Sequence, residues 1–324
     1  MQIDRDPSLA TLTTMRVGGP ARVLLSLDSL EELPEAIAFA QGQGMPWKIL
    51  GGGSNVVFAD AGWGGVLITL PSGSVHQDTD GAHEQLIVEA GYDWDTLVAE
   101  SVARGLWGLE NLSGIPGTCG ATPMQNVGAY GVEIADVLSW VEVYDSREGA
   151  PLRLRPEDCA FGYRDSRVAY ALSRTPAPRL AYRDLAAHFG AEATPTLAQI
   201  REAVLLIRSG KFPDLRTVGT AGSFFKNPVI DCRQAHELTE RYPELPVYPA
   251  GERCKVSLAW ILDHVCALRG FALGPVGLFQ HQPLVVVAHA GATQADLDRL
   301  AATVAERVMD ATGIAIEREV EMVY

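Results

Sequence analysis

Apolar residues recur along the chain with two different spacings. After Ser29 and Glu32, which match the S-x-x-E capping box, Leu33, Ile37 and Ala40 fall on one face of a predicted helix. Residues 140–144 instead alternate between apolar and polar side chains, as a half-buried strand does. Because segments of both kinds are interspersed, the pattern predicts an α/β or α+β protein.

The same patterns place further elements along the chain. Helices are predicted at 95–104, 196–208, 233–241, 255–268 and 294–311, and strands at 47–50, 56–58, 86–90, 284–288 and 314–323. Gly105 is predicted to end the first of these helices. No apolar run reaches the length of a membrane span, and the first residues do not resemble a signal peptide, so we expect no membrane partner.

Composition narrows the class of protein. The chain has 324 residues, of which 47% are hydrophobic and 20% charged, which indicates two or three folded domains. The formal net charge of −14 would repel nucleic acid, so no nucleic-acid partner is expected. A small dianionic substrate remains possible, because a few local cations can offset the overall charge.

The cysteines carry little sign of a structural role. They lie at positions 119, 159, 232, 254 and 266, an odd number with wide spacing and no CxxC pair. We therefore predict neither a disulfide framework nor a metal site, and the pattern favours a reducing cytoplasm.

The sequence Gly51-Gly52-Gly53-Ser54-Asn55 lies between two predicted strands. Three glycines allow backbone N–H groups to approach a ligand closely, and such loops bind phosphate oxygens. The Rossmann pattern would need a sixth-position glycine and a following helix, and the Walker lysine is missing. A nucleotide-binding loop between two strands and a tight strand–strand turn both fit this segment.

A second glycine-rich segment covers residues 109–131. It contains small polar residues and few charges, and Ile115, Met124 and Val127 would favour burial over a surface loop. A long ordered loop of this kind is usually functional.

These two segments together resemble the flavin-binding domain of the vanillyl-alcohol-oxidase (PCMH-type) superfamily. Within it, the chain is similar to the UDP-N-acetylenolpyruvoylglucosamine reductase family, also called UDP-N-acetylmuramate dehydrogenases. Four further segments match that family in order: residues 12–21, FGYRDS at 161–166, AGSFFKNP at 221–228 and IEREV at 316–320. The resemblance covers nearly the whole chain.

The resemblance implies an α+β fold with a flavin-binding part and a smaller α/β substrate-binding domain. Residues 1–70 would form the first flavin-binding subdomain, joined by the C-terminal strand 314–324. Residues 71–205 would form the second subdomain, and residues 206–313 the substrate-binding domain.

The resemblance also implies FAD and NADPH as cofactors. Hydride would pass from NADPH to flavin and then from flavin N5 to the enol ether of a UDP-sugar, in peptidoglycan precursor synthesis. The residues of the two glycine-rich segments expected to bind the cofactor are Gly51, Gly52, Gly53, Ser54, Asn55, Gly114, Ile115, Pro116, Gly117, Gly120, Ala121, Gln125, Asn126, Gly128, Ala129, Tyr130 and Gly131.

Three catalytic residues follow from the resemblance. Arg164 would stabilise the carboxylate on which charge develops, Ser223 would donate a proton to the α-carbon, and Glu319 would assist that protonation. Without the resemblance, each residue has a simpler interpretation. Arg164 could form a surface ion pair, Ser223 could cap a loop, and Glu319 could belong to a solvated acidic face. Alternation places Glu317, Glu319 and Glu321 on one face of a strand and cannot choose between them.

Five residues are expected to bind the UDP-sugar by the same resemblance: Tyr182, Lys211, Asn227, Tyr248 and Lys255. The tyrosine segment resembles the reductases that close a tyrosine-bearing loop over the substrate. The chain between Arg164 and Tyr182 is shorter than in that family, and the strand at 168–172 is expected to be abbreviated.

Two other functions fit parts of the pattern. Another flavoenzyme of the superfamily is one. Many of these attach flavin covalently through His or Cys, which is not suggested here because residues 51–55 contain neither and residues 109–131 contain only Cys119. A non-catalytic nucleotide-sugar-binding or flavin-binding protein is the other. We expect a cytoplasmic monomer with a small-molecule UDP-sugar as its partner.

Overall fold

The computed structural model describes residues 1–80, 83–159, 165–190 and 193–324. Its helices are α1 (Leu9–Leu12), α2 (Leu33–Gly42), α3 (Trp94–Ala103), α4 (Arg183–Phe189), α5 (Leu197–Lys211), α6 (Cys232–Arg241), α7 (Leu258–Trp260) and α8 (Gln294–Thr312). A π-helical turn, Ile261–Val265, directly follows α7. Within the described residues, no helix is both long and apolar enough to cross a membrane.

The strands alternate with these helices along the chain. They are β1 (Gln2–Arg5), β2 (Ala21–Ser26), β3 (Trp47–Ile49), β4 (Val56–Phe58), β5 (Trp63–Thr69), β6 (Val75–Asp80), β7 (His83–Glu89), β8 (Gly128–Ala129), β9 (Val132–Glu133), β10 (Leu138–Asp145), β11 (Ala150–Leu154), β12 (Asp165–Leu172), β13 (Val229–Ile230), β14 (Val247–Ala250), β15 (Arg253–Val256), β16 (Ala272–Leu273), β17 (Val276–Phe279), β18 (Gln282–Ala288) and β19 (Glu321–Val323). The α+β prediction is confirmed.

The described residues form two compact units, each made of separate chain segments. Unit 1 contains Met1–Pro7, Ala21–Gly52 and Gly64–Arg208, and unit 2 contains Ser8–Pro20, Gly53–Trp63 and Ser209–Tyr324. The three-part division predicted from the family stays a prediction.

Unit 1 contains two larger sheets. One has the strand order β1-β2-β5-β3 and packs against α2, whose Leu33, Ala36, Ile37 and Ala40 are buried. The other has the order β11-β10-β12-β7-β6, and its neighbouring strands run antiparallel. The predicted abbreviation of the strand at 168–172 is wrong, because β12 spans Asp165–Leu172 and pairs with both β10 and β7.

Unit 2 has one apolar core, to which α8 contributes Leu297, Leu300 and Val304. Thr293 and Asp296 form a capping box at the start of α8, which satisfies backbone N–H groups that the helix itself leaves unpaired. Near the end of the chain, β19 pairs in parallel with β4.

Three predicted elements differ from the structure. The Ser29 side chain makes no capping hydrogen bond, because Glu32 instead accepts hydrogen bonds from the Asp28 amide and the N-terminal amine. The helix predicted at 255–268 begins only at Leu258, since Lys255 lies in β15. The strand predicted at 314–323 is regular only over β19, after a bridge from Arg318 to Phe225.

The expectation that the cysteines form no disulfide is also wrong. Cys232, the first residue of α6, forms a disulfide with Cys254 of β15. Their separation of 22 residues carries no recognisable sequence motif, and only the pairing of β13 with β15 brings the two segments together. Cysteine spacing therefore gives no support for a reducing compartment.

Candidate active site

The glycine loop and the longer glycine-rich segment of unit 1 lie in direct contact. A Cβ atom added to Gly52 would come within 2.8 Å of the Gly117 Cα, and one added to Gly51 within 2.8 Å of the Thr118 Oγ1. A Cβ atom on Gly120 would come within 2.5 Å of the Ala90 Cβ. The glycines therefore allow two backbone segments to approach each other closely. A tight turn between two strands would not need this close approach.

A cavity of about 140 Å³ lies beside this contact. Its walls include Gly51, Gly120 and Ala121, three of the predicted cofactor-binding residues, together with Leu50 and Ala90. Apolar walls next to glycine backbone suit a planar aromatic group attached to a phosphate chain.

The longer segment contains several residues in the left-handed region of backbone space. Gly114 has a φ of 71° and Gly131 a φ of 80°, as glycine readily allows, but Asn126 and Tyr130 also have positive φ values of 44° and 50°. Asn126 is held by its side chain, which donates to Glu133 Oε2 at 2.7 Å and accepts from the Ala135 amide at 2.9 Å. Such residues persist only where their surroundings fix them.

Asn111 is a functional candidate that sequence reasoning missed. Its buried side chain donates to the carbonyl oxygens of Tyr130, at 2.9 Å, and Arg179, at 2.8 Å. Among the described residues, its Oδ1 has no hydrogen-bond partner. The sequence signal for Asn111 was a polar amide side chain within a mainly apolar segment.

Arg208 and Asp95 were also missed. The Asp95 carboxylate accepts from the Gly114 amide at 2.6 Å and pairs with both terminal nitrogens of Arg201, at 2.6 and 2.9 Å. Arg208 Nε donates to the Gly114 carbonyl at 3.2 Å. Helical spacing offered a signal, because Arg208 follows the buried Ile200 and Val204 at intervals of four residues.

Tyr182, expected to bind the substrate, lies at the start of α4 in unit 1. Its ring packs edge-on against the Tyr130 ring, with 5.3 Å between centroids, and is 43% exposed. Burial raises the pKa of the Tyr130 hydroxyl to about 12. One predicted cofactor residue and one predicted substrate residue are thus in contact.

Ser223 lies in unit 2 on an extended segment held on both sides. It forms a bridge with Val285, and the Phe224 amide donates to the Leu284 carbonyl at 2.8 Å. On the other side, the Glu319 amide donates to the Phe224 carbonyl at 2.9 Å. The backbones of the predicted proton donor and the predicted assisting acid therefore run side by side.

The three glutamates near the C-terminus have different surroundings. Glu317 pairs with Lys226 at 3.3 Å, and the Glu321 amide donates to the Asn55 carbonyl at 3.1 Å. Loss of hydration raises the pKa of Glu319, with Lys226 opposing the shift, although the residue keeps an exposed surface. The residue that the family pattern selects is thus the one with the raised pKa.

Three predicted cofactor residues, Gly53, Ser54 and Asn55, belong to unit 2. Gly53 has a φ of 61°, and a Cβ atom there would come within 2.2 Å of the Leu12 carbonyl oxygen. The Asn55 side chain donates to the Glu319 carbonyl at 3.4 Å. The loop thus borders the segment that contains the predicted acid.

The other predicted substrate residues occupy separate positions. Tyr248 and Lys255 are cross-strand partners in β14 and β15, and Lys211 is the last residue of α5. The Asn227 side chain accepts a hydrogen bond from the Leu258 amide at 3.0 Å, so it also has a structural contact. Arg164, the predicted catalytic arginine, lies outside the described residues.

Comparison with known proteins identifies the class. Residues 21–155 match the FAD binding domain family, and residues 214–323 match the C-terminal domain of UDP-N-acetylenolpyruvoylglucosamine reductase. The chain is thus a FAD-dependent oxidoreductase with a flavin-binding domain of the PCMH type.

Full-length relatives define the family. The UDP-N-acetylenolpyruvoylglucosamine reductase of Pseudomonas aeruginosa is 36% identical, with 98% of each chain covered. That of Polynucleobacter asymbioticus is 35% identical over 98% of this chain and 96% of the relative. The crystal structure of the reductase from Thermus caldophilus covers 100% of both chains, with a TM-score of 0.68 and 26% identity. The chain belongs to the UDP-N-acetylenolpyruvoylglucosamine reductase family.

The described residues fit FAD. The cavity beside the Gly52–Gly117 contact has mainly apolar walls and is bordered by the backbone of Gly51 and Gly120. Burial raises the pKa of the Cys119 thiol well above its ordinary value, which disfavours the reactive thiolate needed for covalent attachment of flavin. We therefore expect FAD to be held without a covalent bond.

Proposed function

We propose that this protein reduces UDP-N-acetylglucosamine enolpyruvate to UDP-N-acetylmuramate, with NADPH as the source of hydride. Bound FAD would carry the hydride from the nicotinamide to the β-carbon of the enol ether. The residues of the chain would bind the two substrates, stabilise the charge that develops on the adjoining carboxylate, and supply one proton to the α-carbon.

One observation carries the proposal within this family. Glu319, whose pKa is raised by loss of hydration, is hydrogen-bonded through its backbone to Phe224, the residue next to Ser223. A carboxyl whose acid form is favoured, on a segment paired with that of a serine, suits protonation of a carbon, because the acid form can support the hydroxyl as it gives up its proton.

The proposed roles of the other residues follow the family pattern. Arg164 would bind the carboxylate of the enolpyruvate through two donors. Lys211 would bind the pyrophosphate, where a local cation offsets the net charge of −14. Tyr182, with its exposed ring already packed on Tyr130, would cover the UDP-sugar.

Tyr248, Lys255 and Asn227 would complete the UDP-sugar site. Tyr248 and Lys255 are both exposed and lie opposite one another in a hairpin, so they offer an aromatic ring and a cation on neighbouring strands. Asn227 is exposed apart from its bond to the Leu258 amide.

A spectroscopic experiment tests the function. The purified protein should be yellow, NADPH should bleach it without oxygen, and UDP-N-acetylglucosamine enolpyruvate should restore the colour. NADH serves as the matched control for the hydride source. A yellow protein that NADPH bleaches but the enolpyruvate cannot restore would support another oxidoreductase of the superfamily.

A colourless protein that binds the UDP-sugar would instead support the non-catalytic alternative. We further propose that the protein acts as a monomer in the cytoplasm, where nucleotide-sugar precursors are made. Sedimentation of the purified protein at several concentrations checks the first part, and cell fractionation the second.

A further inference from the structure

Gly114, in the glycine-rich segment 109–131, is held through both of its peptide groups. Its amide donates to Asp95 Oδ1 at 2.6 Å, and its carbonyl accepts from Arg208 Nε at 3.2 Å. Since Gly114 has a φ of 71°, its own conformational preference leaves the direction of the following residues weakly determined. These two hydrogen bonds fix the direction in which residues 115–117 leave Gly114.

Arg208 reaches the other end of the same segment. Its guanidinium is hydrogen-bonded to the Tyr130 hydroxyl, sixteen residues further along the chain (130 − 114), and Tyr130 also has a positive φ, of 50°. Arginine suits this double contact because Nε and the terminal nitrogens are separate donors in one rigid plane.

The surroundings give Arg208 little freedom. It lies on the face of α5 that contains the buried Ile200 and Val204, and Asp95 contributes a nearby negative charge. Asp95 itself accepts two hydrogen bonds from Arg201, which lies on α5 like Arg208. The helix thus presents two arginines to one glycine-rich segment, one directly and one through Asp95.

We propose that Arg208 is a positioning residue for FAD, holding Gly114 and Tyr130 so that the backbone between them is ready to receive the cofactor. This inference depends on the proposed cofactor-binding role of Gly114 and Tyr130. It assigns Arg208 no contact with the reacting atoms. We expect loss of Arg208 to lower the affinity for FAD, and a lysine at this position, which keeps the positive charge, should not restore it.

The test measures FAD binding to the full-length chain after removal of flavin. Arg208→Met should raise the dissociation constant for FAD by about tenfold or more, because the hydrogen bonds of Arg208 to the Gly114 carbonyl and to the Tyr130 hydroxyl are both lost. Arg208→Lys should raise it by nearly as much, since one ammonium cannot reproduce the planar donors. Arg233→Met, which removes an exposed arginine from α6, is the matched control and should bind FAD as the wild type does.

Tyr130→Phe provides an independent measurement, because it removes the hydroxyl and keeps the ring that contacts Tyr182. It should weaken FAD binding by itself but add little when Arg208 is already lysine, since both changes remove the same contact. The visible circular dichroism of bound flavin should change in the same variants. If Arg208→Met does not fold, Arg208→Lys and Tyr130→Phe decide by the same criteria.

Two outcomes would overturn the positioning role: wild-type FAD affinity in Arg208→Lys, or fully additive effects of the Arg208 and Tyr130 changes. Failure of the wild-type chain to bind FAD would be seen before any variant is compared. That result would reject the cofactor-binding proposal, and with it the role that depends on it.

Discussion

The region proposed to bind FAD and the region proposed to supply the proton are built in different ways. The proposed FAD region of unit 1 is made largely of backbone, with glycines at distances that exclude a side chain and residues such as Tyr130 fixed in left-handed conformations. The candidate acid region of unit 2 depends on side chains, Ser223 and Glu319, that lie on extended segments joined by a few backbone hydrogen bonds.

This difference predicts two kinds of sensitivity. Adding a single carbon atom where the two glycine-rich segments meet should disturb both the structure and the binding of FAD. Removing a functional group from the acid region should stop the chemistry and leave the fold intact.

Ser223→Ala should slow the return of yellow colour by about a thousandfold, as expected for loss of a positioned proton donor. Bleaching by NADPH should change little, because that step needs no proton from Ser223. Stopped-flow absorbance measures both steps. Ser72→Ala, at an exposed serine, is the control, and equal slowing of both steps in Ser223→Ala would contradict the proposed role.

Glu319→Gln should slow the same reoxidation step by about a hundredfold. Glu317→Gln and Glu321→Gln should change it less than about threefold, because the proposed general acid is Glu319 and not its neighbours. These two variants resolve the choice that strand alternation left open. If all three variants behave alike, the role of Glu319 has to be abandoned.

The raised pKa of Glu319 also fixes the sign of two pH effects. Its acid form is lost as the pH rises through the folded-state pKa, so reoxidation should slow in that direction. The stability that this carboxyl contributes is present below its unfolded pKa and is lost as pH rises through the folded pKa. The free energy of unfolding of the wild type should therefore fall relative to Glu319→Gln over that interval, in denaturant titrations at several pH values.

Gly52→Ala should weaken FAD binding and lower the free energy of unfolding by about 1 to 3 kcal/mol, because the new methyl group would overlap the Gly117 backbone. Gly64→Ala is the matched control, since a Cβ atom there meets nothing within 4 Å. Flavin titration and urea unfolding measure the two effects. Wild-type behaviour of Gly52→Ala would mean that the two loops do not need their close contact.

Reduction of the Cys232–Cys254 disulfide should have the smallest effect on turnover, less than about twofold, because general acid–base catalysis needs neither sulfur. It should still lower the free energy of unfolding by about 3 kcal/mol, as expected for opening a loop of this length. Thermal unfolding with and without a dithiol measures the change. The dithiol should not change the unfolding temperature of Cys232→Ser, which cannot form this disulfide.

Sequence patterns predicted the elements with strong local signals. The helix at 95–104 is confirmed as α3, whose Asp93 side chain accepts from the Thr96 amide at 2.8 Å, and Gly105 follows it with a φ of 72°. The helix at 294–311 is likewise confirmed as α8. In both, caps and periodic apolar residues indicate the same structure.

Long-range relations could not be read from the sequence. Nothing local indicates that Cys232 meets Cys254, that Glu32 binds the N-terminal amine, or that Gly52 touches Gly117. The choice of Glu319 among three alternating carboxyls was likewise beyond strand periodicity, and the partial loss of hydration that raises its pKa depends on the folded chain. Recognition of the family supplied the roles that these relations support.

The division of both units into separate chain segments has a consequence for engineering and for biosynthesis. The chain passes between units at residues 7/8, 20/21, 52/53, 63/64 and 208/209, and the strand pair β19–β4 joins the last residues to the first fifth of the chain. A fragment containing only residues 209–324 would lack two segments of its own unit, so neither unit can be exchanged between relatives as a single piece. On the ribosome, unit 2 would complete its pairing only after β19 emerges, long after β4 has been made.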